Sequence, residues 1–200
     1  MTPLTRRAHS RPHATEVELL ARAQGGDLAA FEDLAGAHVD RLFAVSLRLV
    51  GDVGEAEDVV QETLLRAWRG IPRFRRSSRF STWLHRIAVN EANRSLERRA
   101  RRPETVHLTP EQLQVRASPD QGPARQAEYE ELRAALEKTL LALPLPYRTA
   151  VILRDVEGLS TREAADIAGI GEAAFKSRLH QARLKLRAAL SDEALIAAAG

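Results

Sequence analysis

The chain is expected to fold as an all-α protein: two small helical domains joined by a flexible linker, the second with a helix-turn-helix. Three observations carry that expectation. Of the 200 residues, 44% are hydrophobic but only 4% are aromatic. The apolar residues are mostly Ala, Leu and Val, a mix that builds Leu/Ala helix seams rather than sheets. They recur at helical spacing in both halves of the chain. Between the halves lie Pro103, Pro110, Pro119, Gly122 and Pro123, and residues 104–131 hold six acids against two basic residues. Such a stretch buries too little apolar surface to fold alone, so it reads as a linker.

Residues 1–14 combine Pro, Arg, His and Ser without periodicity and read as a disordered basic tail. Thr15 and Glu18 form a T-x-x-E capping box that opens a short helix. Gly25-Gly26 stops it, and Asp27 caps the next. From Leu28 the residues Phe31, Leu34, Val39, Leu42, Phe43, Leu47 and Leu49 follow helical spacing. Gly51 and Gly54 punctuate, and a third helix is predicted over about 55–70. Pro72 and the polar run 73–79 read as a loop. A fourth helix carries residues 80–99, with Trp83, Leu84, Ile87, Ala88 and Leu96 along one side. After the linker, helices are predicted over about 124–142, 145–157, 160–168 and 171–190, with a frayed extension to residue 200.

Charge reverses sharply inside the first unit. Residues 51–62 hold five acids and no Lys or Arg, whereas residues 66–102 hold twelve Arg and two acids, Glu91 and Glu97. Trp68, Phe74, Phe80 and Trp83 sit among those arginines. Acids suit a basic protein surface. Arginines interleaved with ring faces suit a nucleic-acid strand, because phosphates attract cations and unstacked bases attract π-faces. The net charge is only +3, so the basic clusters are local.

The second unit carries LSTREAADIAGIGEAAFKSRLHQARLKLRAAL. Ser160 and Glu163 make a capping box, Gly169-Ile170-Gly171 makes a turn, and Ile170 is expected between the helices. Phe175, Leu179, Ala182 and Leu186 face inward from the second helix, opposite Lys176, Ser177, Arg178, His180, Gln181, Arg183, Lys185 and Arg187. A short capped helix, a tight turn and a one-sidedly basic helix fit a DNA-reading helix-turn-helix.

Other classes lack their signatures. There is no Cys, hence no disulfide and no thiolate metal site. No phosphate loop, H-E-x-x-H pair or G-x-S-x-G elbow occurs. His9 and His13 are four apart, but Pro12 lies between them in the basic tail. The chain is therefore expected to be no enzyme and to need no cofactor or metal. No apolar run approaches the ~20 residues that span a bilayer, and the basic N-terminus lacks the apolar core of a signal peptide. A cytoplasmic location with no membrane insertion is expected.

Three segments in register resemble one family, the bacterial sigma-70 initiation factors in their small extracytoplasmic-function (ECF) group. AEDVVQETLLRAW resembles the region-two helix, FSTWLHRIAVNEANRSLERRARR the promoter-melting segment, and LPYRTAVILRDVEGLSTREAADIAGIGEAAFKSRLHQARLKLR region four. The resemblance implies region two over 15–102, a linker over 103–127, region four over 128–190 and an extension over 191–200. It implies that Asp58, Gln61 and Glu62 dock on the β′ subunit of core RNA polymerase. It places Arg75, Arg76, Arg79, Trp83, Arg86, Asn90, Arg94, Arg98, Arg99, Arg101 and Arg102 on the −10 side of promoter DNA. Arg154, Lys176, Ser177, Arg178, His180, Gln181 and Arg183 fall on the −35 side. The loop F-R-R-S-S-R departs from the family, which often has Gly and then an acid or Ser after the Phe-Arg pair. The acidic linker resembles the segment that threads the polymerase toward the RNA exit channel, where its negative charge would mimic RNA, and a plain tether fits it as well; the partner implied is core RNA polymerase through its β′ and β subunits. An anti-sigma partner is implied by analogy. As second readings, Trp83 is a core residue, His180 a solvated imidazole, and Arg178 and Arg183 are partners of acids within the domain. The rival function is a stand-alone helix-turn-helix regulator, which needs a dimer interface to read two half-sites.

Overall fold

The structure, a computed structural model, describes residues 15–101 and 123–198. The basic tail, most of the linker, Arg102 and residues 199–200 lie outside the described residues. Every regular element among those described is helical.

Helix α1 spans Glu16–Gln24, with the Thr15–Glu18 capping box formed in both directions. Asp27 accepts from the Ala30 amide and opens α2, Leu28–Gly36. The run from Leu28 is not one helix. It breaks at Ala37-His38, and α3 follows over Val39–Val50. The break absorbs a slip in the apolar pattern, since Leu34 and Val39 are five apart instead of three or four. Gly51 ends α3 at φ 78°, the left-handed cap that favours glycine. Asp52 then accepts from the Glu55 amide and starts α4, Val53–Gly70. Gly54, expected as a break, therefore lies inside the first turn of α4. Pro72 sits in a single turn over Ile71–Arg73, and Phe74 turns into the core. Helix α5 runs Phe80–Arg101.

After the linker come α6, Pro123–Ala142, and α7, Leu145–Val151. The expected continuation to residue 157 is present but wider than an α-helix: over Ile152–Val156 the Glu157 amide donates to Ile152 O, five residues back. Helix α8 spans Thr161–Ala168 and α9 spans Glu172–Ala198.

Two apolar clusters organise the molecule. The first lies within α1–α5 and includes Phe31, Leu34, Leu42, Ile71, Phe80 and Leu84. The second is shared. Val45, Leu49, Val59, Val89 and Ala92 of the first unit pack with Leu140, Ile152, Leu153, Ala165, Phe175 and Leu179 of the second. Polar contacts close the same seam. The Arg41 Nε donates to Glu157 Oε2, and its Nη2 donates to Glu157 O at 2.7 Å. His85 Nδ1 donates to Ser81 O at 2.7 Å, and its Nε2 faces Glu157 Oε2 at 3.5 Å. Burial pushes the Glu157 carboxyl up, but hydrogen bonds from His85 and Arg41 outweigh it and hold the group below its ordinary value. Arg148 donates to Leu143 O at 3.1 Å and also to Leu141 O and Leu49 O, so one guanidinium closes the ends of α6 and α3. Burial, then the charge of Arg99, draws Arg148 down to about 10.

Candidate protein and nucleic-acid interfaces

Helix α4 buries Ala56, Val59, Val60, Thr63 and Ala67. Asp58 and Gln61 therefore face solvent, and Glu62 is half-buried beside them. The D-x-x-Q-E spacing puts all three on one helical side. They line a groove of about 630 Å³ between α4 and α5, with Leu65, Arg66 and Arg94. Leu65, which sequence reasoning passed over, is 44% exposed there. Glu62 is not free. Arg66 bridges it at 2.8 Å to the buried Glu91 at 2.9 Å, and Arg94 reaches Glu91 at 2.6 Å. Asp58 and Gln61 have no partner among the described residues.

The segment after α4 is held by rings. Phe74 and Phe80 are 8% and 1% exposed, which makes both core residues. Trp83 is half-buried against them, its ring centroid 4.8 Å from Phe74 and 5.8 Å from Phe80. A Cβ on Gly70 would meet the Trp83 ring at 3.2 Å, so the glycine lets the indole approach α4 closely. Trp83 is thus both packed and partly open. Between the two phenylalanines, Arg75, Arg76 and Arg79 project into solvent. Trp83, Arg86, Asn90 and Arg94 then follow at steps of three and four along one side of α5. Asn90, Arg94, Arg98 and Arg101 are exposed. Four of the arginines are occupied: Arg76 donates to Val17 O at 3.3 Å, Arg86 pairs with Asp166 of α8 at 3.3 Å, Arg94 holds Glu91, and Arg99 reaches Glu55 at 3.3 Å and Val50 O at 3.4 Å.

In the second unit, Ser160 and Glu163 form the expected capping box, and Gly169 at φ 67° ends α8. Ile170 is half-buried rather than sealed between helices. Phe175, Leu179 and Ala182 anchor α9, exposing Lys176, Ser177, His180 and Gln181. Arg154 is half-buried on the preceding turn. Arg178 is half-buried and lines a cleft of about 430 Å³ with Asn93, Glu97 and Leu145, so it faces α5. Arg183 is gripped by Asp155 through both carboxylate oxygens, with Nε to Oδ2 at 3.0 Å, and that bond raises its pKa. The second helix therefore offers four free polar side chains on one face. Its arginines at 178 and 183 are turned to the protein. Spacing alone does not show this, because Asp155 and the α5 wall of the Arg178 cleft lie in other elements.

Comparison with known proteins matches both units of the chain. The family model for Sigma-70 region 2 matches residues 34–102, and that for Sigma-70, region 4 matches residues 133–186. The RNA polymerase sigma-H factor of Pseudomonas aeruginosa is 35% identical over 178 residues, 86% of this chain and 92% of that protein. The ECF RNA polymerase sigma factor SigW of Bacillus subtilis is 30% identical over 181 residues, 86% of this chain and 95% of its own. The solved sigma factor RpoE of Bartonella quintana, in complex with the anti-sigma factor NepR, superposes with a TM-score of 0.64. It is 26% identical over 82% of this chain and 98% of that one.

Proposed function

We infer the function from one premise: this chain belongs to the sigma-70 family, in its extracytoplasmic-function group. It is a transcription initiation factor that binds core RNA polymerase and directs it to specific promoters. An anti-sigma factor is a partner of the kind that a solved relative carries. No described helix is long and apolar enough to cross a membrane.

The residue roles are our reading. Asp58, Gln61 and Glu62 dock on the polymerase, where acids and an amide pair with basic partner groups. Arg75, Arg76, Arg79, Trp83, Asn90, Arg94, Arg98 and Arg101 face the −10 side, cations for phosphate and a ring for an unstacked base. Lys176, Ser177, His180 and Gln181 enter the major groove at the −35 element. Arg86, Arg94, Arg99 and Arg183 reach DNA only after leaving the acids they hold in the free chain, and Arg178 only by turning out of its cleft against α5. The polymerase supplies the phosphoryl transfer.

The observation that carries this reading is the separation of chemistry: an acidic face with unpartnered Asp58 and Gln61 on α4, and cationic faces on α5 and α9. Size-exclusion chromatography with core RNA polymerase tests it. Co-elution of the wild type that an Asp58→Ala, Gln61→Ala variant loses is expected. Co-elution kept by the variant would move the docking site, and a dimer peak with no co-elution would favour a stand-alone regulator.

A further inference from the structure

We propose that α1 is a positioning element for the promoter-reading loop, and that Gln24 does the positioning. This inference rests on the reading of residues 75–79 as the strand-facing loop. The loop has little of its own to hold it. Three arginines and two serines lie between Phe74 and Phe80, the arginines exposed and repelling one another. Its conformation is set where it leaves the core.

The rings of Phe74 and Phe80 fix side chains, but the turn over Ile71–Arg73 is not continued as a helix, so from the backbone Ile71 O accepts only the Phe74 amide, at 3.0 Å, and Phe74 O has no backbone donor. Gln24 takes those carbonyls. Its Nε2 donates to Phe74 O at 2.9 Å and to Ile71 O at 3.3 Å. One half-buried carboxamide thus pins both ends of the turn that launches the loop. The other end of α1 holds the loop itself, as Arg76 donates to Val17 O at 3.3 Å. The two attachments lie seven residues apart, about 10 Å along a rigid helix. Helix α1 precedes the segment matched by the family model, which starts at residue 34.

Gln24→Met keeps the length and the apolar stem and removes both donors. In the full free chain, trypsin cleavage after Arg75, Arg76 and Arg79, read by mass spectrometry, should rise about tenfold, with cleavage after Arg98 unchanged. That measurement does not depend on the functional reading. In holoenzyme made with core RNA polymerase, promoters are selected from a pool of randomised DNA by the wild type. The variant should keep wild-type co-elution and wild-type preference at the upstream element, and lose about tenfold in preference at the downstream element. Unchanged loop cleavage would overturn the proposal, as would equal losses at both elements, which mark a merely structural role. Faster loop cleavage with wild-type preference at both elements would overturn it too. If the wild type does not join the polymerase, the functional reading fails while the cleavage result still decides whether Gln24 holds the loop.

Discussion

Removing the Glu157 carboxylate should loosen the seam between the two helical units by a predictable amount. The side chain is 5% exposed and faces two groups of different character, the Arg41 guanidinium at 54% and the His85 imidazole at 3%. Breaking a fully buried ion pair costs about 3–5 kcal/mol, because one charge is left without compensation. An exposed pair is worth about 0–1 kcal/mol. Arg41 regains water when the carboxylate goes, whereas His85 Nε2 has no other partner. Glu157→Ala should therefore cost about 2 kcal/mol, between those limits. That is about a thirtyfold fall in the ratio of closed to open chains. With no native Cys, Glu32→Cys and Arg187→Cys give a unique dye pair, and energy transfer between them across a urea titration reads the seam. The coupling between Arg41→Ala and Glu157→Ala should be about 1–2 kcal/mol. Coupling within about 0.3 kcal/mol of zero would refute the reasoning. The pH dependence has a fixed sign. A carboxyl held below its ordinary value contributes fully above that value and loses its contribution as pH falls through the folded pKa. Closure should weaken on acidification there, and Glu157→Gln should flatten that limb of the curve.

Other expectations follow from the two DNA-facing surfaces and their supports. Arg98→Ala and Arg101→Ala should each lower the salt slope of promoter binding by about one, with little change in sequence preference, measured by salt titration of holoenzyme binding. Gln181→Ala should instead relax preference at one −35 position at a cost of about 1–3 kcal/mol, read by selection from randomised DNA. Arg183→Ala and Asp155→Ala should lower the unfolding free energy measured in urea alike, by about 0–1 kcal/mol each, since the pair is partly exposed. A cycle showing no coupling between them would assign Arg183 to DNA instead. Ser160→Ala should cost about 1 kcal/mol by removing the cap of α8, measured by urea unfolding.

Local chemistry was legible, and distant partnership was not. Thr15 with Glu18, and Ser160 with Glu163, announce helix starts because both partners lie within one turn. The buried face of α9 follows from spacing alone, and Phe175 lies in the core as its position implies. The break at Ala37-His38 was missed because helix-compatible residues run straight through it. Gly54 misled because glycine in a first turn is tolerated when an Asp cap precedes it. Arg41 and Glu157 are 116 residues apart, and Gln24 and Phe74 are 50 apart. No periodicity connects such pairs. The same blindness left Arg99 as a free cation, when it donates to Glu55 of another element, whereas Arg183 reads either as a phosphate contact or as the partner of an acid within its domain, and Asp155 is that acid.

The most direct test of the central claim is run-off transcription by core RNA polymerase on a pool of randomised DNA, with and without this chain. The predicted result is transcripts that start only when the chain is present, from templates sharing two separated elements, with Asp58→Ala, Gln61→Ala abolishing them. Equal transcription with and without the chain, together with tight duplex binding by the chain alone, would contradict it.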